Sequence, residues 1–248
     1  MAIHNIYKPL GWTPLEALQR FKDIHPEFAN ESMTYAGRLD PMAEGVIILL
    51  SGNDLQKKDE FMGLNKTYEA TALLGFYSDT YDALGVVHEG MDIDKSLVEP
   101  AIQNLLGVQN LPYPAYSSYR VQGKPLVWWA RTGQIHKIQI PIKGMGVLSL
   151  DGTNIFEETS SNLVKELEER IKLVRGDFRQ DKIIKLWKFF LEKEKSYTMA
   201  TFSAEVTSGT YIRSLVHYLG KELGCGSILY HLKRTSVGTY TADDAEKL

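Results

Sequence analysis

Apolar positions recur at two spacings along the chain, and each spacing predicts a different element. After the turn K-P-L-G-W-T-P at residues 8–14, Leu15, Leu18 and Phe21 fall at helical intervals and predict a short helix. The unbroken run from Val46 to Leu50 predicts a buried strand that closes at Ser51 and Gly52. The stretch T-Y-E-A-T-A-L-L-G, residues 67–75, mixes Thr, Tyr and Leu in the manner of a strand, and after a polar turn Val86 and Val87 supply a partner for a hairpin or strand pair. Pro100 to Leu106 reads as a short helix, whereas residues 111–131 are proline-rich, aromatic and irregular. Two amphipathic helices follow. The first carries Leu163, Leu167, Ile171 and Val174 on one face, with Ser160, Ser161 and Asn162 as candidate caps. The second sets Ile183, Ile184, Trp187, Phe190 and Leu191 against a basic face of Lys182, Lys185 and Lys188. Phe202, Ala204 and Val206 then alternate as a strand, and Ser208–Gly209 turns into a helix bearing Ile212, Leu215, Val216, Leu219 and Leu223 that stops at Gly224.

Composition narrows the class. The 248 residues are 44% hydrophobic and 24% charged, enough for one substantial core, and no linker or repeat divides them, so residues 1–248 read as one domain. No run of about 20 apolar residues and no signal segment occur, which predicts a soluble, cytoplasmic protein without membrane partners. The single Cys225 excludes an internal disulfide, and the six histidines lack zinc-site spacing, so no metal is expected. A net charge of −3 argues mildly against a nucleic-acid partner, but the charge is unevenly spread. Arg120, Lys124, Arg131, Lys137 and Lys143 lie in a segment with no Asp or Glu, a candidate phosphate-binding surface.

The candidate chemistry is faint residue by residue. Asp40, in T-Y-A-G-R-L-D-P-M-A-E-G, has the local context of a turn-former. Tyr68 reads as a packing residue of its strand. Asp79 and Asp82 read as turn caps and Trp128 and Trp129 as loop anchors. Arg213 is odd in one respect: it lies in the first turn of a predicted helix, where a cation opposes the macrodipole, and this hints at a specific anionic partner.

Taken together, these segments resemble a known family. Residues 34–52 are similar to the central motif of the TruB family, the tRNA pseudouridine-55 synthases. K-P-L-G-W-T, K-T-Y-E-A-T-A-L-L-G-F-Y-S-D-T-Y-D-A-L-G and Y-S-S-Y-R-V-Q-G-K-P-L-V-W-W-A-R resemble, in order, its first segment, its second motif and its thumb loop. S-G-T-Y-I-R-S-L-V-H-Y-L-G, with the residues that follow, resembles its last catalytic motif. Only residues 145–196 contribute nothing. The resemblance implies an α+β pseudouridine synthase fold, a mixed and largely antiparallel sheet flanked by helices around a central cleft. It implies an isomerase that acts on uridine 55 in the T loop, with the tRNA T arm as partner, no cofactor, and a monomeric state. Asp40 takes the place of the nucleophile, Tyr68 of the active-site tyrosine and Arg213 of the arginine beside the aspartate. Lys8, Pro9, Tyr35, Arg38, Lys66 and Tyr211 fall among substrate-binding positions, as do Arg120, Lys124 and Arg131 of the thumb, residues 111–144.

The resemblance also marks departures. Tyr35 stands where bacterial-type members carry a histidine, residues 162–195 form a helical insertion, and Leu248 leaves no room for the RNA-binding PUA domain that many members append. Two alternatives therefore stay open: a non-catalytic tRNA-binding or folding factor on the same scaffold, and a synthase for a different RNA. The chemistry gives the three residues a reason to meet. A carboxylate can add to a nucleotide and leave again, it must be ionised to do so, and a guanidinium favours the ionised form.

Overall fold

The structure, a computed structural model, describes residues 2–248. The chain runs β1 (Ala2–Lys8), α1 (Pro14–Ile24), β2 (Met33–Ala36), β3 (Ala43–Ser51), α2 (Lys58–Gly63), β4 (Lys66–Leu74), β5 (Phe76–Ser78) and β6 (Val87–Glu89). It continues through α3 (Val98–Gln103), β7 (Gly107–Pro112), β8 (Arg120–Val121), β9 (Lys124–Pro125), α4 (Leu126–Arg131), β10 (Ile142–Thr159), α5 (Ser160–Leu173) and α6 (Gln180–Phe190). The last elements are β11 (Ser196–Val206), α7 (Ile212–Glu222), β12 (Ser227–Val237), β13 (Tyr240–Thr241) and β14 (Glu246–Lys247).

The apolar run of β3 is explained by its position. Ile47 and Leu49 pack under α1 with Ile6, Leu18 and Phe21, while Val46, Ile48 and Leu50 face the other way and meet Phe61 of α2. A strand covered on both faces has no polar side to present. The main sheet is ordered β14-β1-β3-β12-β4-β11-β10-β7, with β2 also on β3 and β13 on β12. Among the described residues, β1–β14 and β3–β12 are the strand pairs that run parallel; the rest of the ladder is antiparallel. This is the mixed, largely antiparallel α+β architecture that the sequence resemblance implies. The β3–β12 contact depends on Gly45, whose φ is +112° and where a Cβ would lie 2.2 Å from the Arg234 carbonyl oxygen.

Helices cover both faces of the central strands. Ala70, Ala72 and Leu74 of β4 point toward α3 and α7, where Ile102, Leu215 and Leu219 meet them. Leu73 points the opposite way, to α5 and α6. Those two helices interrupt the β10–β11 hairpin, whose ends meet at Thr159 and Ser196. They are built into the core rather than appended to it: Leu163, Leu167, Ile183 and Trp187 are buried against Phe76, Val87 and Ile228. The thumb is likewise an excursion from a hairpin, because residues 113–141 leave β7 and return to β10 opposite Pro112.

One local reading is corrected, and one strand has no counterpart in the sequence pattern. Thr159, not one of the three residues after it, caps α5 by accepting from the Asn162 N–H. Ser160 is instead buried and donates its hydroxyl to the carbonyls of Lys193 and Lys195, closing the base of the helix pair. The 18-residue strand β10 goes unseen in the sequence because two register shifts, at Val147–Ser149 and Asp151–Asn154, break its alternation.

Candidate active site

Asp40 sits in the connection from β2 to β3, and the segment after β1 fixes that connection. The Gly11 N–H donates to the Pro41 carbonyl at 2.8 Å, and the Ala43 N–H returns to the Asp40 carbonyl at 3.0 Å. Lys8 is fully buried, and its ammonium donates to the carbonyls of Ala43, Trp12 and Pro9 at 2.6, 2.8 and 2.9 Å. All its protons are committed, so Lys8 supports the Asp40 loop from behind, and neither it nor Pro9 lines the cavities beside Asp40. Burial pushes the Lys8 amine down to about 7, with Asp40 opposing that shift.

The residue that meets Asp40 is Arg213. Its Nε lies 2.8 Å from Asp40 Oδ2, and it comes from the first turn of α7 as the dipole argument suggested. The arginine side chain is almost wholly buried and the aspartate about 40% exposed, so the pair presents a carboxylate to solvent from a guanidinium floor. Arg213 Nη1 donates to the Thr80 carbonyl at 2.8 Å and Nη2 to the Tyr116 carbonyl at 3.2 Å. Asp82 Oδ2 stands 3.8 Å from Nε. Burial pushes Asp82 up against the pull of Arg213, whereas the two carboxylates, against burial, hold Arg213 above its ordinary value. Asp82 does cap its turn, accepting from Thr80 Oγ1 and the Leu84 N–H, but it also belongs to this charge cluster. The turn reading was sound and incomplete: it carried no information about Arg213, which lies 131 positions away.

Asp40 opens into a cavity of about 620 Å³ walled by Tyr35, Arg38, Lys66, Tyr68, Tyr211 and Arg213 among others. Tyr68 lines this cavity from β4 although it is largely buried, and its hydroxyl accepts from Arg234 Nη1 at 3.4 Å. Burial pushes the Tyr211 hydroxyl up, and Asp40 adds to this. Lys66 is nearly spent, donating to the Met62 and Leu64 carbonyls at 2.7 and 2.5 Å, and burial pushes it down to about 8. A second cavity, about 500 Å³, lies on the other side of Asp40 and Arg213 and has Arg131 and Phe178 in its wall. Arg120 and Lys124 line neither space. Arg120 donates to the Gly123 carbonyl within the β8–β9 hairpin, and Lys124 sits 3.5 Å from the centre of the Trp128 ring. Trp129 anchors the thumb by donating to the Val121 carbonyl.

Arg234 is a cleft residue that sequence reading missed. It is 1% exposed, donates to the carbonyls of Val46 and Arg38, and leaves Nη2 without a partner. Its only signal was an arginine inside an apolar alternation, next to Lys233.

This carboxylate–guanidinium cleft lies on a sheet that has solved counterparts. The chain aligns over 99% of its length with 52% of a chain in the structure "Crystal Structure of a Cbf5-Nop10-Gar1 Complex", at a TM-score of 0.59 and 18% identity. It aligns similarly with 50% of a chain in an H/ACA ribonucleoprotein bound to a substrate RNA, at a TM-score of 0.57 and 17% identity. The chain thus shares its fold with these solved chains. Residues 27–172 match the model of the TruB family pseudouridylate synthase N-terminal domain, and the chain belongs to that family. It is 30% identical over 247 residues to tRNA pseudouridine synthase B of Clostridium acetobutylicum, covering 97% of this chain and 68% of that protein. To the protein of the same name from Thermosipho melanesiensis it is 28% identical over 248 residues, covering 99% and 66%. The chain therefore spans about two thirds of the length of these curated relatives. No helix among the described residues is long and apolar enough to cross a membrane.

Proposed function

We propose that the chain isomerises uridine to pseudouridine in tRNA in the cytoplasm, at uridine 55 of the T arm, with Asp40 as the nucleophile. The observation that carries this reading is the Asp40 carboxylate, 2.8 Å from a buried Arg213 and open to a cavity of nucleotide size beside Tyr68. The reaction breaks the bond between N1 and ribose C1′ and forms one between C5 and C1′. The C5 hydrogen leaves as a proton and N1 takes one up, so atoms and charge balance without an external reagent. Asp40 adds transiently to the nucleotide and is expelled when the rotated base rejoins, which divides one difficult displacement into easier steps. Arg213, held by two backbone carbonyls, orients the carboxylate and returns it to one place after each cycle. The target base has to leave its stack, at a cost on the order of a few kcal/mol, and Tyr68 provides the face that receives it.

Tritium release from C5-labelled tRNA tests the assignment. Asp40→Asn is expected to lower the single-turnover rate by at least about a thousand-fold while tRNA affinity changes by less than about three-fold. An active Asp40→Asn protein removes Asp40 from the chemistry. Mapping pseudouridines in total RNA from cells with and without the protein checks the site: a new pseudouridine in another RNA, or none, refutes the assignment to uridine 55.

A further inference from the structure

The segment joining α5 to α6 lines the second cavity with Phe178 and Arg179, and Arg179 carries its side-chain hydrogen bonds to the segments around Arg213. It precedes α6 with φ at +65°, in the left-handed region that side chains with a Cβ rarely adopt. From there its guanidinium forks onto Asp79, with Nη1 2.6 Å from Oδ2 and Nη2 3.2 Å from Oδ1. The same Nη1 donates to the Tyr116 hydroxyl at 3.0 Å, and the guanidinium carbon lies 4.8 Å from the centre of that tyrosine ring. Asp79 is fixed further by accepting from the Val86 N–H at 2.7 Å.

The two residues that Arg179 holds bear directly on Arg213. Asp79 immediately precedes Thr80, whose carbonyl accepts from Arg213 Nη1, and Tyr116 itself supplies the carbonyl that accepts from Nη2. Thr80 belongs to the turn after β5, and Tyr116 to the thumb. These segments approach from different parts of the chain, and Arg179 bonds to side chains of both. A bidentate arginine–carboxylate fork with an added phenol sets orientation as well as distance, which a single point contact does not. The side chains of Arg179 and Asp79 are each about one third exposed, so the contact contributes little to bulk stability, and its effect lies in geometry.

We infer that Arg179 is a positioning residue: it locks the thumb to the turn after β5 so that the two carbonyls gripping Arg213, and through them Asp40, keep their reactive placement. The α5–α6 pair thereby serves as a brace of the active site as well as part of the core. This inference rests on the proposed synthase activity for its kinetic consequence and on geometry alone for its structural one.

The test uses the full chain, with Arg179→Ala, Arg179→Lys and Asp79→Asn compared with wild type by two readouts. In single-turnover tritium release, Arg179→Ala and Asp79→Asn are expected to slow the chemical step at least ten-fold while tRNA affinity changes less than two-fold. Arg179→Lys, which can pair with Asp79 but cannot fork, is expected to recover part of the rate. In hydrogen exchange, which needs no activity, Arg179→Ala should speed exchange in residues 78–86 and 113–137 together and leave β1 and β3 unchanged. Unaltered exchange in either segment overturns the inference, and so does faster exchange with a wild-type rate, which would leave Arg179 a merely structural tie. A wild-type protein that modifies no uridine refutes the proposed function instead, and the exchange comparison then still decides whether Arg179 holds the two segments.

Discussion

At the scale of single residues, the site is a problem of burying charge. Lys8, Arg213 and Arg234 are all removed from water; Lys8 and Arg234 are compensated by backbone carbonyls, and Arg213 by two carbonyls together with its pairing to Asp40. Carbonyl acceptors fix direction without neutralising charge, so Arg213 keeps a full positive charge for two nearby carboxylates. Lys8 shows the cost. Its amine is pushed down to about 7 in the folded chain against about 10.4 unfolded. Below the lower value both states hold the proton. Between the two values the unfolded chain binds more protons, so stability rises with pH across that window. Denaturant unfolding of wild type and Lys8→Met at several pH values from 7 to 9 should therefore show the difference moving in favour of wild type by about 1 kcal/mol per pH unit. A constant difference would mean that Lys8 stays protonated throughout.

At the scale of elements, α5 and α6 were legible as amphipathic helices, but not what they cover. Their apolar stripes were read from Leu163, Leu167, Ile183, Ile184 and Trp187, and all five are buried. The partner face could not be read, because Phe76, Val87 and Ile228 come from strands scattered along the chain. Trp187 is the keystone of this contact: its ring meets Phe76 at 5.0 Å between centroids and its indole N–H donates to the Ala83 carbonyl. Trp187→Ala is expected to cost about 3 to 5 kcal/mol by cavity formation, read in a thermal melt as a fall of about 10 °C. A shift of only a degree or two would show that the pair is a loosely held appendage. Strand β10 was lost at the same scale for the opposite reason, since bulges and the glycines Gly144, Gly146 and Gly152 hide a strand whose pairing is set by β7 and β11.

At the scale of the molecule, an overall charge of −3 coexists with a thumb free of acidic side chains. Arg120, Lys124 and Lys137 all lie outside the catalytic cleft, so replacing the three with Ala should weaken tRNA binding without altering the rate of bound substrate. The slope of log K against log salt should flatten by about 2. An unchanged slope would move the RNA footprint off the thumb. By itself the sequence determined the amphipathic elements, the polar turn that carries Asp40, and the motif order that resembles one family, because periodicity and turn chemistry are local. Tertiary structure alone decided that Lys8 faces away from the cleft, that Asp82 and Arg234 join the site, and that Arg179 reaches it. Each of those outcomes turns on which backbone carbonyls and charges come within about 3 to 4 Å across a fold. Arg213 meets Asp40 and Asp82, Arg179 meets Asp79, and Arg234 meets the Val46 carbonyl, all pairs far apart in sequence that only the folded chain brings together.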